Sequence, residues 1–315
     1  MNFPVVYAVK HKNFDIRMAS RSGGVFTAFS DCILSENGVV YGCVLNENFE
    51  AEHIRADNEN DRNRMRGSKY IQSNLGDTFR QVKNDLQNGK KVLFSGTSCQ
   101  IAGLKGFLQK DYAKQLLCVD VVCYGVPSSL VWKKYLEWQE KKNNAVVINA
   151  DFRNKKDFGW ADHIETLTFA SDNKPNKINS KIFRELFSGK LILRPACYKC
   201  PYKDIMHPAD ITIADYWGID KASPGFNDNK GVSLVLINNK FGEIIFDKIS
   251  ASLEYRVCKI EDSMQPALKA PFSEPENRSK FWKDFRTKDF GYIVKKYGTK
   301  GFIFKVKKKL RKIFK

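Results

Sequence analysis

At 315 residues, with 43% hydrophobic and 13% aromatic content, the chain has the composition of a globular protein with room for a sizeable core and two lobes. No apolar run approaches a membrane span, and the N-terminus MNFPVVYAVKHKNFDIR lacks the basic-then-apolar layout of a secretory leader, which points to the cytoplasm. Net charge is +18, but the last eleven residues, KVKKKLRKIFK, hold seven basic groups and no acid, so the excess is largely a tail property and argues against a nucleic-acid-binding fold.

In chain order, residues 3–20 read as a short strand and a basic turn. Ser22-Gly23-Gly24 then precedes apolar positions at helical spacing, Val25, Phe26, Phe29, Cys32 and Ile33. Ser22 is the expected N-cap, and the glycines are either a bare helix end suited to a phosphate or carboxylate, or an ordinary capped start. Val39 to Leu45 and Phe49 to Ala56 read as paired strands, followed by a charged, flexible stretch, DNENDRNRMR. Gly67-Ser68-Lys69-Tyr70 is either a phosphate-and-ring cluster or a solvated turn.

An amphipathic helix over Asp77 to Asn88 leads into two consecutive strand–turn–helix units. KVLFS is followed by Gly96-Thr97-Ser98-Cys99 and a helix, and Leu116 to Val122 by Cys123-Tyr124-Gly125-Val126-Pro127 and a second helix. Such units predict a parallel α/β sheet with Cys99 and Cys123 at the carboxyl ends of two strands, where open sheets place their ligand crevice. Two further strands flank the turn FRNKKDFGW, and a helix over Ile182 to Phe187 precedes LRPACYKCPYK, which holds Cys197 and Cys200. GVSLVLIN reads as a buried strand, Phe241 to Ser250 as a helix, and residues 264–279 as Pro-rich and irregular. In the tail, Phe302, Ile303, Val306, Leu310, Ile313 and Phe314 share one helical face, so residues 302–315 are either an amphipathic helix at an anionic membrane surface or a solvated terminus.

Of eight cysteines, Cys32, Cys43, Cys118 and Cys258 fall where a thiol packs as a small apolar group. Cys99, Cys123, Cys197 and Cys200 lie in turns, where packing gains little. Four turn thiolates suit a [4Fe–4S] cluster or a structural zinc, and a third alternative is that they never meet.

Taken together, SRSGGVFTAF, RGSKYIQSNLGDTF, KVLFSGTSCQIAGLKGFL, LLCVDVVCYGVPSSLVWKKYL, FRNKKDFGW, LRPACYKCPYK, ADITIADYWGI and KGVSLVLIN resemble, in order, the coenzyme F420 hydrogenase/dehydrogenase beta-subunit family. The resemblance implies an α/β flavoprotein binding FAD and one [4Fe–4S] cluster. Members pass electrons between coenzyme F420 and partner subunits, and relatives reduce other small substrates. By position it implies Cys99, Cys123, Cys197 and Cys200 as cluster ligands. It implies Arg21, Ser22, Gly23, Gly24, Gly67, Ser68, Lys69, Tyr70, Ser95, Gly96 and Thr97 as flavin-site residues, with Asp215 and Trp217 in the wall between flavin and cluster. Arg21 and Lys69 are expected to balance phosphate or reduced-flavin charge. No acid/base pair is evident; His163 and His207 are the candidates, and no catalytic residue is assigned.

This sequence departs from the family at Ser98, where a proline is usual, at Tyr124, where a histidine is usual, and at Ala214, often a glycine. It also begins past the N-terminal ferredoxin-like module that many relatives carry. The expected fold is a mixed, largely parallel sheet with βα units plus a smaller α+β lobe bearing the Cys-x-x-Cys loop. The expected organisation is a flavin-binding region over 1–145, a cluster-loop region over 146–300 and a basic tail over 301–315. The expected function is electron transfer between a hydride donor (coenzyme F420 or another reduced carrier) and a redox partner such as a ferredoxin or sister subunit, or a small substrate. Shortened, basic-tailed relatives further suggest surface-polysaccharide synthesis at the inner membrane. The competing expectation is a non-enzymatic, zinc-stabilised docking subunit.

Overall fold

The computed structural model describes residues 3–171 and 176–298; the amphipathic stretch 302–315 lies outside them. Eleven strands are described: β1 Val5–His11, β2 Val39–Leu45, β3 Ala51–Ala56, β4 Val92–Thr97, β5 Leu116–Val121, β6 Val147–Asp151, β7 Glu165–Phe169, β8 Asn176–Ser180, β9 Ile211–Asp215, β10 Ser233–Ile237 and β11 Leu253–Cys258. Eight of them form one sheet in the order β11-β1-β10-β9-β5-β4-β2-β3, and β6-β7-β8 form a second. The sheet is mixed. β2, β4, β5 and β9 run parallel through its centre, and the flanking pairs are antiparallel.

The central strands are apolar on both faces because both are covered. Val40, Leu93, Leu117 and Val119 face a core shared with helices Val25–Leu34 and Lys240–Ile249. Val39, Tyr41, Val92, Phe94 and Cys118 face the opposite core, under helices Thr78–Gln87 and Ser98–Leu108. The smaller lobe packs β6–β8 against helices Ser129–Asn143, Ile182–Ser188, Arg278–Thr287 and Phe290–Tyr297 around Trp132, Tyr135, Phe169, Phe183 and Phe281. The chain leaves the large sheet near residue 145 and returns to it at β9, so strands on both sides of that point share one sheet.

Two local expectations are corrected. The N-cap of helix Val25–Leu34 is Gly24, at φ 93°, and not Ser22, whose hydroxyl instead donates to the Val232 carbonyl at 2.7 Å. DNENDRNRMR is not a flexible stretch but contains helix Glu59–Arg64, held because Arg62 is buried and donates to the Thr27 carbonyl, Ser30 and Asp31. Its partners lie more than thirty residues away, beyond the reach of local pattern.

Candidate functional site

The parallel register pairs Thr97 of β4 with Val121 of β5. Cys99 and Cys123 each follow two residues later, so both thiols emerge at the same sheet edge. Thr97 caps helix Ser98–Leu108 in a reciprocal capping box with Gln100, which puts Cys99 in the helix's first turn. Beyond Cys123 the backbone pairs with the segment that precedes Cys197. Ser128 N–H donates to the Ile192 carbonyl at 2.9 Å, Arg194 N–H to the Val126 carbonyl at 3.0 Å, and Pro127 bridges Leu193. Gly125 sits at φ 139°, and a Cβ there would lie 2.8 Å from the Leu193 side chain, so this crossing requires glycine. Cys197 follows in the 3-10 turn Pro195–Lys199, with Cys200 just past it.

The four thiols are near enough for their charges to act on one another. Burial pushes the Cys123 thiol up to about 12, with Lys203 and the Gly125 N–H opposing and Cys197 and Cys99 adding to the rise. Burial also raises Cys200, opposed by the Tyr202 N–H, and Cys99 and Cys197 add to that rise. Each sulfur has a donor beside it. Val126 N–H donates to Cys197 Sγ at 3.4 Å, Thr97 Oγ1 lies 3.1 Å from Cys99 Sγ, and the Gly125 and Tyr202 N–H groups serve Cys123 and Cys200. Lys203 is buried beneath them, its Nζ donating to the carbonyls of Cys123 and of Tyr124 (2.8 Å). Among the described residues, no three His, Cys, Asp or Glu side chains close as tightly as a single metal ion requires. Thiols each flanked by a hydrogen-bond donor have the chemistry of sulfur ligands to an iron–sulfur cluster.

A cavity of about 380 Å³ lies where the lobes meet, lined by Arg21, Arg66, Lys69, Arg153, Lys155 and Lys156, with Gly67 and Ser68 on its wall and Asp151 as its carboxylate. Arg153 is fixed by Asp215 at 2.5 Å, by the Trp160 carbonyl at 2.9 Å and by Tyr70 at 3.4 Å; Arg21 donates to the carbonyls of Arg153 and Trp160. Both guanidinium groups keep a buried Nε with no partner. A buried unpaired donor is costly, so two on one cationic wall fit an anionic ligand such as the diphosphate of a dinucleotide. Lys155 Nζ donates to three carbonyls, of Arg17, Ser22 and Lys230, and burial beside Arg21 and Arg17 pulls its pKa down to about 7.

Other expected site residues take different places. Lys69 Nζ donates to the carbonyls of Arg64, Met65, Arg66 and Gly67 at 2.9–3.2 Å, so its charge caps a helix end at the cavity wall. Gly23 is packed shut: its N–H donates to Ser233 Oγ at 2.9 Å, and a Cβ would lie 2.1 Å from the Val9 carbonyl oxygen. Ser95, Gly96 and Thr97 stand on the thiol side, with the Ser95 carbonyl 3.0 Å from His53 Nε2. Trp217 stacks on Trp160 at 5.0 Å, and Trp160 Nε1 donates to Asp215 at 2.6 Å. His207 contacts buried Asp120 at 2.8 Å and Ser98 at 3.2 Å, below the start of the Cys99 helix. His163 lies against Tyr70, and burial next to Arg153, Arg184 and Arg21 drives its pKa down to about 2, so it is neutral near pH 7. Rings join the two halves: Tyr70 meets Phe187 at 5.4 Å, and Phe187 meets Tyr124, beside Cys123, at 5.0 Å.

Sequence reasoning did not single out Arg153, Lys155 or Lys203. The first two lie in FRNKKDFGW, whose density of cations in a turn between strands was the available signal.

An α/β sheet edge that gathers thiols next to an anion-ready cavity defines a redox-type scaffold. The chain belongs to the family described as the C terminus of the coenzyme F420 hydrogenase/dehydrogenase beta subunit, which matches residues 89–263 and spans all four thiols. Among solved structures it is similar to a chain of the F420-reducing [NiFe] hydrogenase complex from Methanosarcina barkeri, with 18% identity, TM-score 0.54, and coverage of 81% of this chain and 82% of that one. At that identity the likeness concerns the fold. No curated protein matches the chain.

Proposed function

We propose that this chain is a flavin- and iron–sulfur-dependent oxidoreductase, holding FAD at the cationic cavity and one [4Fe–4S] cluster on Cys99, Cys123, Cys197 and Cys200. The observation that carries the proposal is the convergence of four donor-flanked thiols, through the β4–β5 register and the Pro127–Leu193 crossing, beside a wall with two unpaired buried arginine donors. When bound, the flavin supplies hydride chemistry and the cluster one-electron chemistry. The protein's own part is to bind and to exclude water. Arg21 and Arg153 receive the diphosphate. The Thr97 hydroxyl and three backbone N–H groups orient the sulfurs. Lys203 places a positive charge beneath them, and Tyr70, Phe187 and Tyr124 fill the space between. Coenzyme F420 or another reduced carrier is the proposed hydride donor, and a ferredoxin or sister subunit the one-electron partner. A place in surface-polysaccharide synthesis, with membrane contact through 302–315, belongs to the same proposal.

The test is purification without oxygen, followed by a visible spectrum and assays of iron, acid-labile sulfide and flavin. Flavin together with about four irons per chain is expected, and Cys197→Ser abolishes the broad cluster absorbance. A colourless protein holding zinc and no flavin overturns the proposal and restores the docking-subunit alternative.

A further inference from the structure

We propose that the groove between the cysteine loop and helix Arg278–Thr287 docks a small acidic one-electron carrier protein. This rests on the redox function proposed above and names the partner's landing site.

The groove, of about 590 Å³, is lined chiefly by Pro195, Arg278, Trp282, Lys283 and Arg286. One wall is therefore the cluster loop itself, since Pro195 opens the turn that carries Cys197. Arg278 clamps that wall. Its guanidinium lies over the Tyr198 ring at 5.3 Å, between the two cysteines of the loop, and donates to the Leu193 carbonyl at 3.1 Å. A protein seated here touches the backbone that holds two of the four thiols.

Charge identifies the occupant. The lining holds three cations and no acid. Lys283 and Arg286 are exposed and have no ion-pair partner among the described residues. The helix's own carboxylate, Asp284, is committed elsewhere, to Lys296 at 2.6 Å and Tyr297 at 2.7 Å. Glu274 pairs with Arg278 at 3.4 Å and leaves the other two cations free. An apolar floor with Trp282 and a cationic rim matches the anatomy of a transient protein contact, in which like-charged partners are rejected and opposite ones are steered in. A second copy of this chain, at +18, and its own basic last eleven residues carry the wrong sign. The exchange moves one electron: the carrier is oxidised by one as the group on the four thiolates is reduced by one, and no bond is made or broken.

The experiment uses the full chain, purified without oxygen, with iron, sulfide and flavin assayed first; their absence counts against the redox function rather than against the docking site. The probe is a dithionite-reduced acidic [4Fe–4S] ferredoxin, mixed by stopped flow at increasing salt. Wild type is expected to accept electrons at a rate that falls steeply with ionic strength. The pair Lys283→Glu/Arg286→Glu, with cofactor content unchanged, lowers the low-salt rate at least about tenfold and flattens the salt dependence. Lys283→Gln/Arg286→Gln gives the same direction with a smaller loss, should the charge reversal fold poorly. Lys110→Glu/Lys114→Glu, outside the groove lining, leaves the rate near wild type. Wild-type rates and salt slopes in both groove variants overturn the inference, as does an equal loss in the Lys110/Lys114 control, which would mean that net charge rather than this groove attracts the carrier.

Discussion

At the scale of single residues, Lys203 is the side chain whose position says most about the thiol site. Its ammonium is buried, tied to the carbonyls of Cys123 and Tyr124, and its charge acts on Cys123, Cys200 and Cys197. Burial lowers its pKa, and the thiols pull it back up. A fixed cation beside an anionic centre favours the more reduced, more negative state. On the proposed function, Lys203→Met should therefore shift the reduction potential of the cluster proposed for these thiols downward by about 60 mV or more, equivalent to roughly tenfold for a one-electron couple. Potentiometry followed by electron paramagnetic resonance reads this directly, and an unchanged potential at full iron content removes Lys203 from that role. Nothing in YKCPYKD marks this lysine out, because its partners are carbonyls about eighty residues upstream. Cys99 and Cys123 were legible for the opposite reason: a strand, a Gly- or Ser-rich turn and a helix declare a strand's carboxyl end from local pattern alone. Arg153 shares the fate of Lys203, since its partners Tyr70 and Asp215 lie 83 and 62 residues away.

At the scale of elements, the two βα units were readable, and their neighbouring register turned two strand-end thiols into one edge. The antiparallel flank was not, because β10 and β11 read locally like any buried or short strand and only tertiary pairing decides their direction. The start of helix Val25–Leu34 shows what a glycine pair does in the packing. Ser22-Gly23-Gly24 reads either as a bare helix end suited to an anion or as an ordinary capped start. In the fold Gly23 is where the helix entry crosses β1 and β10, with its carbonyl accepting from His11 N–H at 2.7 Å. A methyl at Gly23 would press on backbone atoms of both strands, Val9 O at 2.1 Å and Ser233 N at 2.7 Å, and neither is a flexible tip that can turn away. Gly23→Ala should cost about 3 kcal/mol. Chemical denaturation checks it, and a loss under about 0.5 kcal/mol, usual for harmless surface changes, would show that the entry is not closed as described.

At the scale of the whole molecule, His53 in the large-sheet lobe and the partly buried His163 in the smaller one are held neutral, and both weigh on the acid side of stability. His53 on β3 stacks on Phe94 at 5.4 Å with Nε2 at the Ser95 carbonyl; burial drives its pKa to about 4, the carbonyl pulling up and Lys69 down. His163 is lower still, at about 2, through burial and then Arg153, Arg184 and Arg21. The unfolded chain takes up these protons near the ordinary value of about 6.5, while the folded one does not. Below that pH the unfolded state thus binds more protons, and stability falls as pH falls, by about 2 kcal/mol per histidine at pH 5. Glu165 works the other way. Burial raises its pKa against the Phe183 and Arg184 N–H groups, so its folded form takes up a proton earlier and offsets part of the loss. Denaturation midpoints at pH 7 and 5 separate these terms. His53→Gln/His163→Gln should lose markedly less stability than wild type between the two, by up to about 4 kcal/mol, because glutamine takes up no proton in either state. Parallel losses in wild type and variant would mean that other groups, the carboxylates and the buried His11 among them, and not these two rings, govern acid unfolding.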